Sequence, residues 1–324
     1  MNPPSLSSSV LCVALNPAID QTIEVSSLRV GEVNRALRAS QNAGGKAVNV
    51  ASCLADYGVS VGVTGLLGRE NPERFNALFD AKGIARHCLL VDGATRINTK
   101  LVDPALGQTT DINLPGPQQS PEQIAASLAQ LEDVLSQHAG SVEWVVLSGS
   151  LPPGWPADTY AGLVRHAHAL GARVLLDSSG AAFAQALAAG PEIIKPNRTE
   201  LAEHLGRPLE RAADVAAAAR ALIESHPGLR LVVVSMGEEG AFFVEADAML
   251  LAHPLPVTPL SSVGAGDAMV AGIVAGQLAG LGLAEGAQLA TAFAAAKLTR
   301  LGPHLPEIEQ VRALAAQVRL GSPG

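Results

Sequence analysis

The segment SVGAGDA, residues Ser262–Ala268, combines residue types that could carry out chemistry. Gly264 and Gly266 would let backbone N–H groups converge on one point, and the following helix would add the partial positive charge of its N-terminus. Such a turn suits a phosphate or a developing anion. Asp267 would lie beside that anion, where its carboxylate could accept a proton from an attacking hydroxyl. Taken alone, the segment fits even better an aspartate that caps a helix after a tight turn.

A second glycine cluster has the sequence NAGGKAVN. It is not a Walker A motif, because Ala47 follows Lys46 where that motif needs Ser or Thr, and it lacks the spacing of the dinucleotide-binding glycines. Gly44 and Gly45 permit a close approach of the backbone to a ligand, and Asn49 lies one turn into the next helix. A polyol held by amides and a carboxamide fits this cluster, and a helix-start turn without a ligand fits it almost as well.

The segment KPNRTE follows an apolar strand and begins a helix. Asn197 and Glu200 are three residues apart and therefore share one face of that helix. Hard oxygen ligands of this kind suit Mg²⁺ or its waters beside a phosphate. The same pair also fits a capping box, with Asn197 as the cap and Glu200 at the third helical position. Both interpretations stay open at this point.

Two further segments follow predicted buried strands. The segment Ser235–Gly240 has glycine at two turn positions, so it could shape a nucleotide pocket or form a plain hairpin. The segment Ser148–Gly154 lacks the flanking glycine of a nucleophile elbow, which argues against an acyl-transfer serine. The eight histidines show no metal-ligand spacing.

The elements that must position these residues alternate between apolar, strand-like runs and helical patterns. The strand-like runs lie at Val10–Leu15, Val59–Thr64, Trp144–Ser148, Ala172–Asp177, Ile193–Lys195 and Leu231–Ser235. The helical patterns lie at Val48–Tyr57, Pro72–Lys82, Pro121–His138, Ala157–Leu170 and Arg211–Ser225. This alternation predicts one α/β domain over residues 1–324 with a mostly parallel central sheet.

Two more polar segments, Thr22–Ala39 and Ile97–Asn113, interrupt that alternation and read as short alternating strands. We expect them to pair as a small, one-sided sheet that stands off the main body. Such a sheet could be a lid over a site at the edge of the central sheet, or an exposed hairpin without function.

Composition excludes several classes of protein. A net charge of −8 and only 6 Phe, 2 Tyr and 2 Trp argue against a protein that binds nucleic acid or a membrane surface. The 3 cysteines form neither a zinc-binding spacing nor a disulfide framework, and the N-terminus lacks a signal-peptide pattern, so we expect a cytoplasmic protein. The apolar stretch Ala268–Ala284 contains Gly272-x-x-x-Gly276, but it is short for a membrane span, and a buried helix packed closely on a sheet explains it better.

The motifs together occur in the order that is typical of one family. From about Val10 to Leu301 the chain resembles the ribokinase-like, PfkB-type carbohydrate kinases, and within them the kinases of hexose phosphates. The segments that carry the resemblance are residues 15–20 (LNPAID), 44–49, 96–98 (RIN), 148–154, 195–200, 235–240 and 263–267. The resemblance implies a three-layer α/β/α sandwich with a mostly parallel sheet and a small β-sheet lid, and it favours Asp267 as a base.

The resemblance also implies roles for individual residues. Catalysis would fall to Asp267, as the base, and to Gly264, Ala265 and Gly266, whose amides form an anion hole. The sugar and its existing phosphate would meet Asp20, Gly44, Gly45, Lys46, Asn49, Arg96, Lys100 and Ser150. ATP and Mg²⁺ would meet Lys195, Asn197, Glu200, Ser235, Met236, Gly237, Gly240 and Gly266, with Asn197 and Glu200 placing the metal through its waters.

The activity that the resemblance implies is an ATP- and Mg²⁺-dependent phosphorylation of D-fructose 1-phosphate at its 6-hydroxyl, with tagatose 6-phosphate and fructose 6-phosphate as alternative substrates. A homodimer joined through the lids and a use for a monovalent cation such as K⁺ are also implied. Ala47 departs from the family pattern, which has glycine there, and we expect a tolerated helix-start position. A sugar-phosphate-binding protein without activity is the alternative from another class, although this chain keeps both the base and the glycines of the anion hole.

Overall fold

The computed structural model describes residues 9–258, 260, 263–300 and 302–322. Within them the chain forms fourteen strands and ten helices. The strands are β1 (Val10–Ala14), β2 (Ala18–Val25), β3 (Ala36–Gly44), β4 (Val61–Gly68), β5 (Ala85–Val91), β6 (Ile97–Asp103), β7 (Gln108–Ile112), β8 (Trp144–Ser148), β9 (Arg173–Asp177), β10 (Ile193–Ile194), β11 (Leu231–Ser235), β12 (Ala241–Val244), β13 (Met249–Ala252) and β14 (Leu320–Gly321). The helices are α1 (Lys46–Asp56), α2 (Glu73–Lys82), α3 (Pro121–Gln137), α4 (Thr159–Ala169), α5 (Gly180–Ala188), α6 (Arg198–Leu205), α7 (Ala212–Ser225), α8 (Ala265–Leu278), α9 (Leu283–Leu298) and α10 (Ile308–Ala315).

Ten of the strands form one sheet in the order β14-β13-β12-β11-β10-β9-β8-β1-β4-β5. Neighbouring strands from β11 to β5 run parallel, and β12, β13 and β14 extend the sheet with antiparallel pairing. Strands β1, β4 and β8 are buried along their whole length, because helices cover both faces of a parallel sheet. The predicted mostly parallel sheet is therefore confirmed.

The central strands send alternate residues into two separate apolar cores, as the twofold periodicity of a strand requires. In β1, Val10 and Cys12 join a core with α1, α2, α8, α9 and α10, whereas Leu11 and Val13 join a core with α3 to α7. Each face of the sheet thus carries five helices, and the fold is the predicted three-layer α/β/α sandwich.

The other four strands form a second, smaller sheet in the order β3-β2-β6-β7. Strand β2 pairs antiparallel with β3 and parallel with β6, and β6 pairs antiparallel with β7. The two segments that break the α/β alternation therefore pair with each other, as the sequence predicts. Strands β2 and β3 reach further towards the central sheet than predicted, from Ala18 and to Gly44, and this brings Asp20 to the base of the second sheet.

The main error in the predicted strand ends concerns β4. The sequence predicts a strand at Val59–Thr64, but β4 continues through Gly65 to Gly68. A side chain at either glycine would overlap the backbone of a neighbouring segment. These glycines are therefore places where another backbone approaches the strand closely, rather than the turn residues that a glycine suggests in a sequence.

The apolar stretch that begins at Ala268 lies mostly in the buried helix α8, as predicted, but its closest packing is not on the sheet. A Cβ atom at Gly272 would lie 2.7 Å from the Cα atom of Ala290 in α9. A Cβ atom at Gly276 would likewise lie 3.5 Å from the Cα atom of Gly286 in α9, so Gly272 and Gly276 bring two helices of the same layer together, as such spacing does between membrane helices. In the part of the chain that the structure describes, no helix is both long enough and apolar enough to cross a membrane.

Candidate active site

Polar side chains gather at the carboxyl ends of β8, β9 and β10, beside the point between β1 and β8 where the strand order of the sheet reverses. Ser148 ends β8, Asp177 ends β9 and Lys195 follows β10, and all three are buried. Ligands of open α/β sheets bind at such a switch point, because the two neighbouring crossovers leave in opposite directions and open a crevice. This edge of the sheet is therefore the candidate site.

Helix α8 brings Asp267 to this edge. Gly264 is its N-cap and has φ 83°, a left-handed conformation that favours glycine. Asp267 lies in the first turn, where its Oδ2 accepts a hydrogen bond of 2.8 Å from Nδ2 of Asn49 in α1. Burial, and then the carboxylate of Asp177, raise the pKa of Asp267 to about 6. Such a group is ionised at neutral pH and accepts a proton readily, which suits a general base. Ser262, where the predicted segment begins, lies outside the described residues.

Asp177 joins two lysines at the floor of the site. Its Oδ1 lies 3.3 Å from Nζ of Lys195 and 3.4 Å from Nζ of Lys46, and its Oδ2 accepts a 3.0 Å hydrogen bond from Oγ of Ser148. Although burial opposes ionisation, the two ammonium groups and the hydroxyl lower the pKa of Asp177. Burial also opposes the charge of Lys46, but Asp177 and two further carboxylates raise the pKa of Lys46. Asp177 and Lys46 are therefore both charged at neutral pH.

Asn197 and Glu200 form a capping box at the start of α6. Oδ1 of Asn197 accepts a 2.8 Å hydrogen bond from the N–H of Glu200, and Oε2 of Glu200 accepts a 2.8 Å hydrogen bond from the N–H of Asn197. The second oxygen of Glu200, Oε1, lies 3.5 Å from Nζ of Lys46. Among the described residues, no group of three or more His, Cys, Asp or Glu side chains could hold a metal ion. The capping interpretation is thus confirmed, and a metal ion here would keep most of its waters.

A cavity of about 520 Å³, the Ser235 cavity, lies on one side of the N-terminus of α8. Its polar rim comes from the turn after β11 and from the first turn of α8, and includes Ser235, Gly237, Gly240, Ala265 and Gly266. Its remaining wall is mainly apolar, with Leu255, Val257, Met269, Ala294 and Leu298. An apolar slot that ends at the amides of a helix N-terminus fits a nucleotide, because the base needs an apolar wall and the phosphates need N–H donors.

A second cavity, the Arg96 cavity, has a volume of about 200 Å³ and lies beyond the ends of β1 and β8. Gly45, Lys46, Arg96, Ser150 and Glu200 line it, together with Ala47, Ser148, Ser178 and Ser179. Arg96 donates hydrogen bonds of 2.7–3.2 Å to the carbonyl oxygens of residues 16, 17 and 114. Arg96 therefore both ties the base of the second sheet to the end of β1 and presents positive charge to the cavity.

A third and smaller cavity, the Lys100 cavity, lies between the second sheet and the start of α8, with a volume of about 50 Å³. Asp20, Asn49, Lys100 and Lys297 are among its lining residues. Nζ of Lys100 lies 3.0 Å from Oδ1 of Asp20. A Cβ atom at position 44 would overlap the Asp20 carboxylate, so any residue other than glycine there would displace this carboxylate. Carboxylate, amide and ammonium groups together suit the hydroxyl groups of a sugar.

Comparison with known proteins identifies the family. The model of the pfkB family carbohydrate kinases matches residues 13–310. The chain belongs to this family. The kinase is 49% identical over 310 residues to 1-phosphofructokinase of Rhodobacter capsulatus, and the match covers 95% of this chain and 96% of that protein. Leu301, where the resemblance ends in the sequence, lies outside the described residues.

Solved structures confirm the ribokinase-like fold of the kinase. Phosphofructokinase-2 from Escherichia coli, solved in complex with potassium, superposes with a TM-score of 0.87 and 27% identity, and covers 96% of this chain and 99% of its own. Ribokinase from Arabidopsis thaliana, solved with ribose and ATP, superposes with a TM-score of 0.74 over 95% of this chain and 99% of its own. At 21% identity the second likeness concerns the fold alone.

Ala47, which departs from the family pattern, lies in the first turn of α1, where it is buried and lines the Arg96 cavity. Among described residues other than glycine, a positive φ occurs only at Ser27. Ala47 therefore carries no backbone strain, and its position is the helix start that we expected. The position of this cluster where a residue with a side chain would be strained is Gly45, the N-cap of α1, with φ 96°.

The structure brings the predicted residues of the kinase to one edge of the sheet, but not all of them line one of its three cavities. Met236 does not line the Ser235 cavity, since its side chain is buried beside Arg198, with 3.3 Å between Sδ and Nη2.

Two residues of the site were missed by sequence reasoning, Asp177 and Lys297. A polar residue that ends an apolar strand and a lysine within an alanine-rich helix were the signals that could have pointed to them.

Proposed function

We propose that the kinase transfers the γ-phosphoryl group of ATP to the 6-hydroxyl of D-fructose 1-phosphate, which gives D-fructose 1,6-bisphosphate and ADP. The position of Asp267 carries this proposal. Asp267 is a buried carboxylate in the first turn of α8, directly after Gly266 of the Ser235 cavity, and it is hydrogen-bonded to Asn49 of the Lys100 cavity. A base between a nucleotide-sized cavity and a sugar-binding cavity is what phosphoryl transfer to a hydroxyl requires.

In this proposal Asp267 accepts the proton of the 6-hydroxyl while the hydroxyl oxygen attacks the γ-phosphorus of ATP. The bond between that phosphorus and the oxygen bridging to ADP breaks, and ADP leaves. The backbone amides that follow Gly264 face the negative charge on the transferring group. Lys195 adds fixed positive charge on the same side, because its Nζ lies 3.7 Å from where a Cβ of Gly266 would be.

The sugar phosphate is assigned to the two smaller cavities. Asp20, Gly44 and Asn49 would bind its hydroxyl groups. The 1-phosphate would enter the Arg96 cavity, where its lining offers guanidinium, ammonium, hydroxyl and amide donors from Arg96, Lys46, Ser150 and Gly45, with Lys100 nearby at the base of the second sheet. Fructose 1-phosphate is preferred to fructose 6-phosphate and tagatose 6-phosphate because the relative with 49% identity is a 1-phosphofructokinase, whereas phosphofructokinase-2 has 27% identity.

ATP is assigned to the Ser235 cavity, with its phosphates directed towards Gly266 and Lys195. Mg²⁺ would be placed by Asn197 and Glu200 through its waters, since the capping box uses Oε2 of Glu200, whereas Oε1 lies 3.5 Å from Nζ of Lys46 at the Arg96 cavity. The metal ion supplies neutralisation of phosphate charge when bound. K⁺ is proposed as a further cofactor, because phosphofructokinase-2 was solved in complex with potassium.

The second sheet is proposed to be a lid, formed by residues 22–39 and 97–113, through which two copies of the chain form a dimer. Support comes from Val30, Val33 and Leu37, which are 97%, 91% and 61% exposed. Val30 and Val33 lie in the connection between β2 and β3, and Leu37 lies in β3. Apolar side chains so strongly exposed and so close in sequence are typical of an interface between subunits. Sedimentation velocity tests this: the chain should sediment as a dimer and Val33→Glu as a monomer, and a monomeric wild type would contradict it.

A substrate panel tests the proposed reaction. The kinase is assayed for ADP release with fructose 1-phosphate, fructose 6-phosphate, tagatose 6-phosphate and unphosphorylated fructose, each with ATP and Mg²⁺. We expect the highest kcat/KM for fructose 1-phosphate, and the product should carry its new phosphate at C6. A higher kcat/KM for another sugar phosphate would overturn the substrate, and no transfer to any of them would overturn the activity.

The variant Asp267→Asn tests the mechanism. Turnover should fall by about 10³-fold or more, whereas the affinity for the sugar phosphate, measured by calorimetry, should change little. The variant should also be at least as stable as the wild type at pH 8. A carboxylate whose pKa is raised to about 6 favours folding in its protonated form, and this contribution is lost as the pH rises through that value. Near-normal turnover would exclude Asp267 as the base.

A further inference from the structure

Lys297, in the last turn of α9, is a buried lysine that has no close carboxylate among the residues that the structure describes. Its relative exposure is 3%. Among the described residues, its Nζ donates one hydrogen bond, of 3.2 Å, to the carbonyl oxygen of Arg300, and no carboxylate lies within 4.0 Å of it. The other lysines of the site differ in this respect, because Lys46 and Lys195 both contact Asp177 and Lys100 contacts Asp20.

An isolated buried ammonium group is costly, since its loss of hydration is not compensated by an ion pair. Burial accordingly lowers the pKa of Lys297. The charged groups that face it are of both signs: the carboxylates of Asp267 and Asp20 favour its charged form, and the ammonium of Lys100 opposes it. The fold thus keeps a lysine where stability alone would favour an apolar side chain.

The side chain of Lys297 reaches the turn that begins α8. Its Cε lies 3.2 Å and its Nζ 3.8 Å from where a Cβ of Gly264 would be, and it also lines the Lys100 cavity. Lys195 occupies the corresponding position beside Gly266. The glycines of this turn therefore let two ammonium groups approach the backbone amides from two different sides.

We propose that Lys297 is a catalytic residue of the phosphoryl-transfer site, whose ammonium stabilises the negative charge that collects at the amides following Gly264. The anionic partner that its ammonium lacks in the described part of the chain is then supplied by the transferring phosphoryl group in the transition state. The inference rests on the proposed kinase activity and adds to it a fixed cation on the sugar side of the anion hole.

The contact with Arg300 offers a purely structural alternative, in which Lys297 only fastens the end of α9. The two roles differ in their effect on stability. A lysine that stabilises the fold lowers the melting temperature when it is replaced, whereas replacement of an unpaired buried charge by an apolar side chain of similar shape leaves stability unchanged or raises it.

The test compares Lys297→Met with Lys82→Met. Lys82 is the matched control because it is also a mostly buried lysine, with 10% of its side chain exposed, but it lies 2.6 Å from Oδ2 of Asp56. For Lys297→Met we expect kcat and kcat/KM to fall by about 10- to 100-fold, little change in the KM values of ATP and sugar phosphate, and an unchanged or higher melting temperature. For Lys82→Met we expect a lower melting temperature, because one partner of a buried ion pair is left alone.

A second variant, Lys297→Ala, provides a readout that a structural role would not change. Methylammonium at millimolar concentration should raise the kcat of Lys297→Ala at least threefold. The K⁺ concentration is held constant, and the wild type is the control for general salt effects. A kcat of Lys297→Met within twofold of the wild type would overturn the proposal, as would a lower melting temperature or an effect confined to KM. If the wild type transfers phosphate to no sugar phosphate, the proposed function is wrong. The rates of ATP hydrolysis of Lys297→Met and of the wild type are then compared to test the role of Lys297 separately.

Discussion

Asn49 and Asp267 lie 218 residues apart in the chain, yet Nδ2 of Asn49 donates a 2.8 Å hydrogen bond to Oδ2 of Asp267. Asn49 belongs to the second turn of α1, and Asp267 to the first turn of α8, so the bond joins the helix that we propose to bind the sugar to the helix that carries the proposed base. A donor to the ionised form of a carboxylate lowers its pKa, which counteracts the opposite effect of burial at Asp267.

The pH dependence of the reaction should report this bond. In the wild type, kcat/KM should fall as the pH decreases through about 6, because protonated Asp267 cannot accept the hydroxyl proton. In Asn49→Ala the carboxylate loses a donor to its ionised form, so the fall should begin at a higher pH. Initial rates at low substrate concentration, measured between pH 5 and 9, would show the shift.

Asn76→Ala is the control for this experiment, since Asn76 lies on α2 and lines none of the three cavities of the site. It should leave the pH profile unchanged. An Asn49→Ala profile with the same acid limb as the wild type, or with a limb at lower pH, would contradict the role of the Asn49–Asp267 bond.

The parallel sheet and the glycine turns could be predicted from the sequence because each depends on local patterns. The strand at Trp144–Ser148 has the predicted ends, since a continuous apolar run between polar segments fits only a covered strand. Asn197 and Glu200 show the limit of such reasoning. Their spacing fits both a capping box, which the structure contains, and a metal-placing pair, and it cannot say what the second oxygen of Glu200 contacts.

Asp177 could not be assigned a role from the sequence for a related reason. Its role depends on the ammonium groups that fold onto it, and Lys46 comes 131 residues earlier in the chain. For Met236 the sequence suggested a place at the nucleotide pocket, but its side chain is buried beside Arg198. A turn next to a cavity directs some side chains into the cavity and others into the core. Neither tertiary outcome is encoded in residue spacing.

Asp177 should be important for stability. Lys195 and Asp177 are almost fully buried, with 4% and 1% of their side chains exposed. Asp177→Asn leaves buried Lys195 without its carboxylate partner, and should lower the free energy of unfolding at pH 7 by about 3–5 kcal/mol. Urea unfolding monitored by circular dichroism measures this difference.

The pH dependence of that difference follows from the lowered pKa of Asp177. The carboxylate stabilises the fold above its unfolded pKa of about 4, and this contribution is lost as the pH falls through the lower folded value. The difference in the free energy of unfolding between Asp177→Asn and the wild type should therefore persist from pH 5 to 8 and become smaller in stronger acid. Asp247→Asn, at an exposed position, should change stability by less than about 0.5 kcal/mol, and an equally stable Asp177→Asn would refute the argument.

The contact between α8 and α9 is tested by two glycines that face different surroundings. A Cβ at Gly272 would lie 2.7 Å from Cα of Ala290, whereas a Cβ at Gly286, in the neighbouring helix, would meet nothing within 4 Å. Both glycines are helical, so both alanine substitutions gain the same helix propensity, about 1 kcal/mol. Only the packing of the new methyl group differs between them.

Gly272→Ala should therefore lower the free energy of unfolding by roughly 1–3 kcal/mol, because the backbone of α9 must move away from α8. Gly286→Ala should leave it unchanged or raise it by up to about 1 kcal/mol. Since α8 carries Asp267 and α9 carries Lys297, a displacement between the helices should also reduce kcat in Gly272→Ala alone. Thermal unfolding and turnover of the two variants, measured side by side, decide the matter: equal stability of both would mean that the two helices are not held together at Gly272.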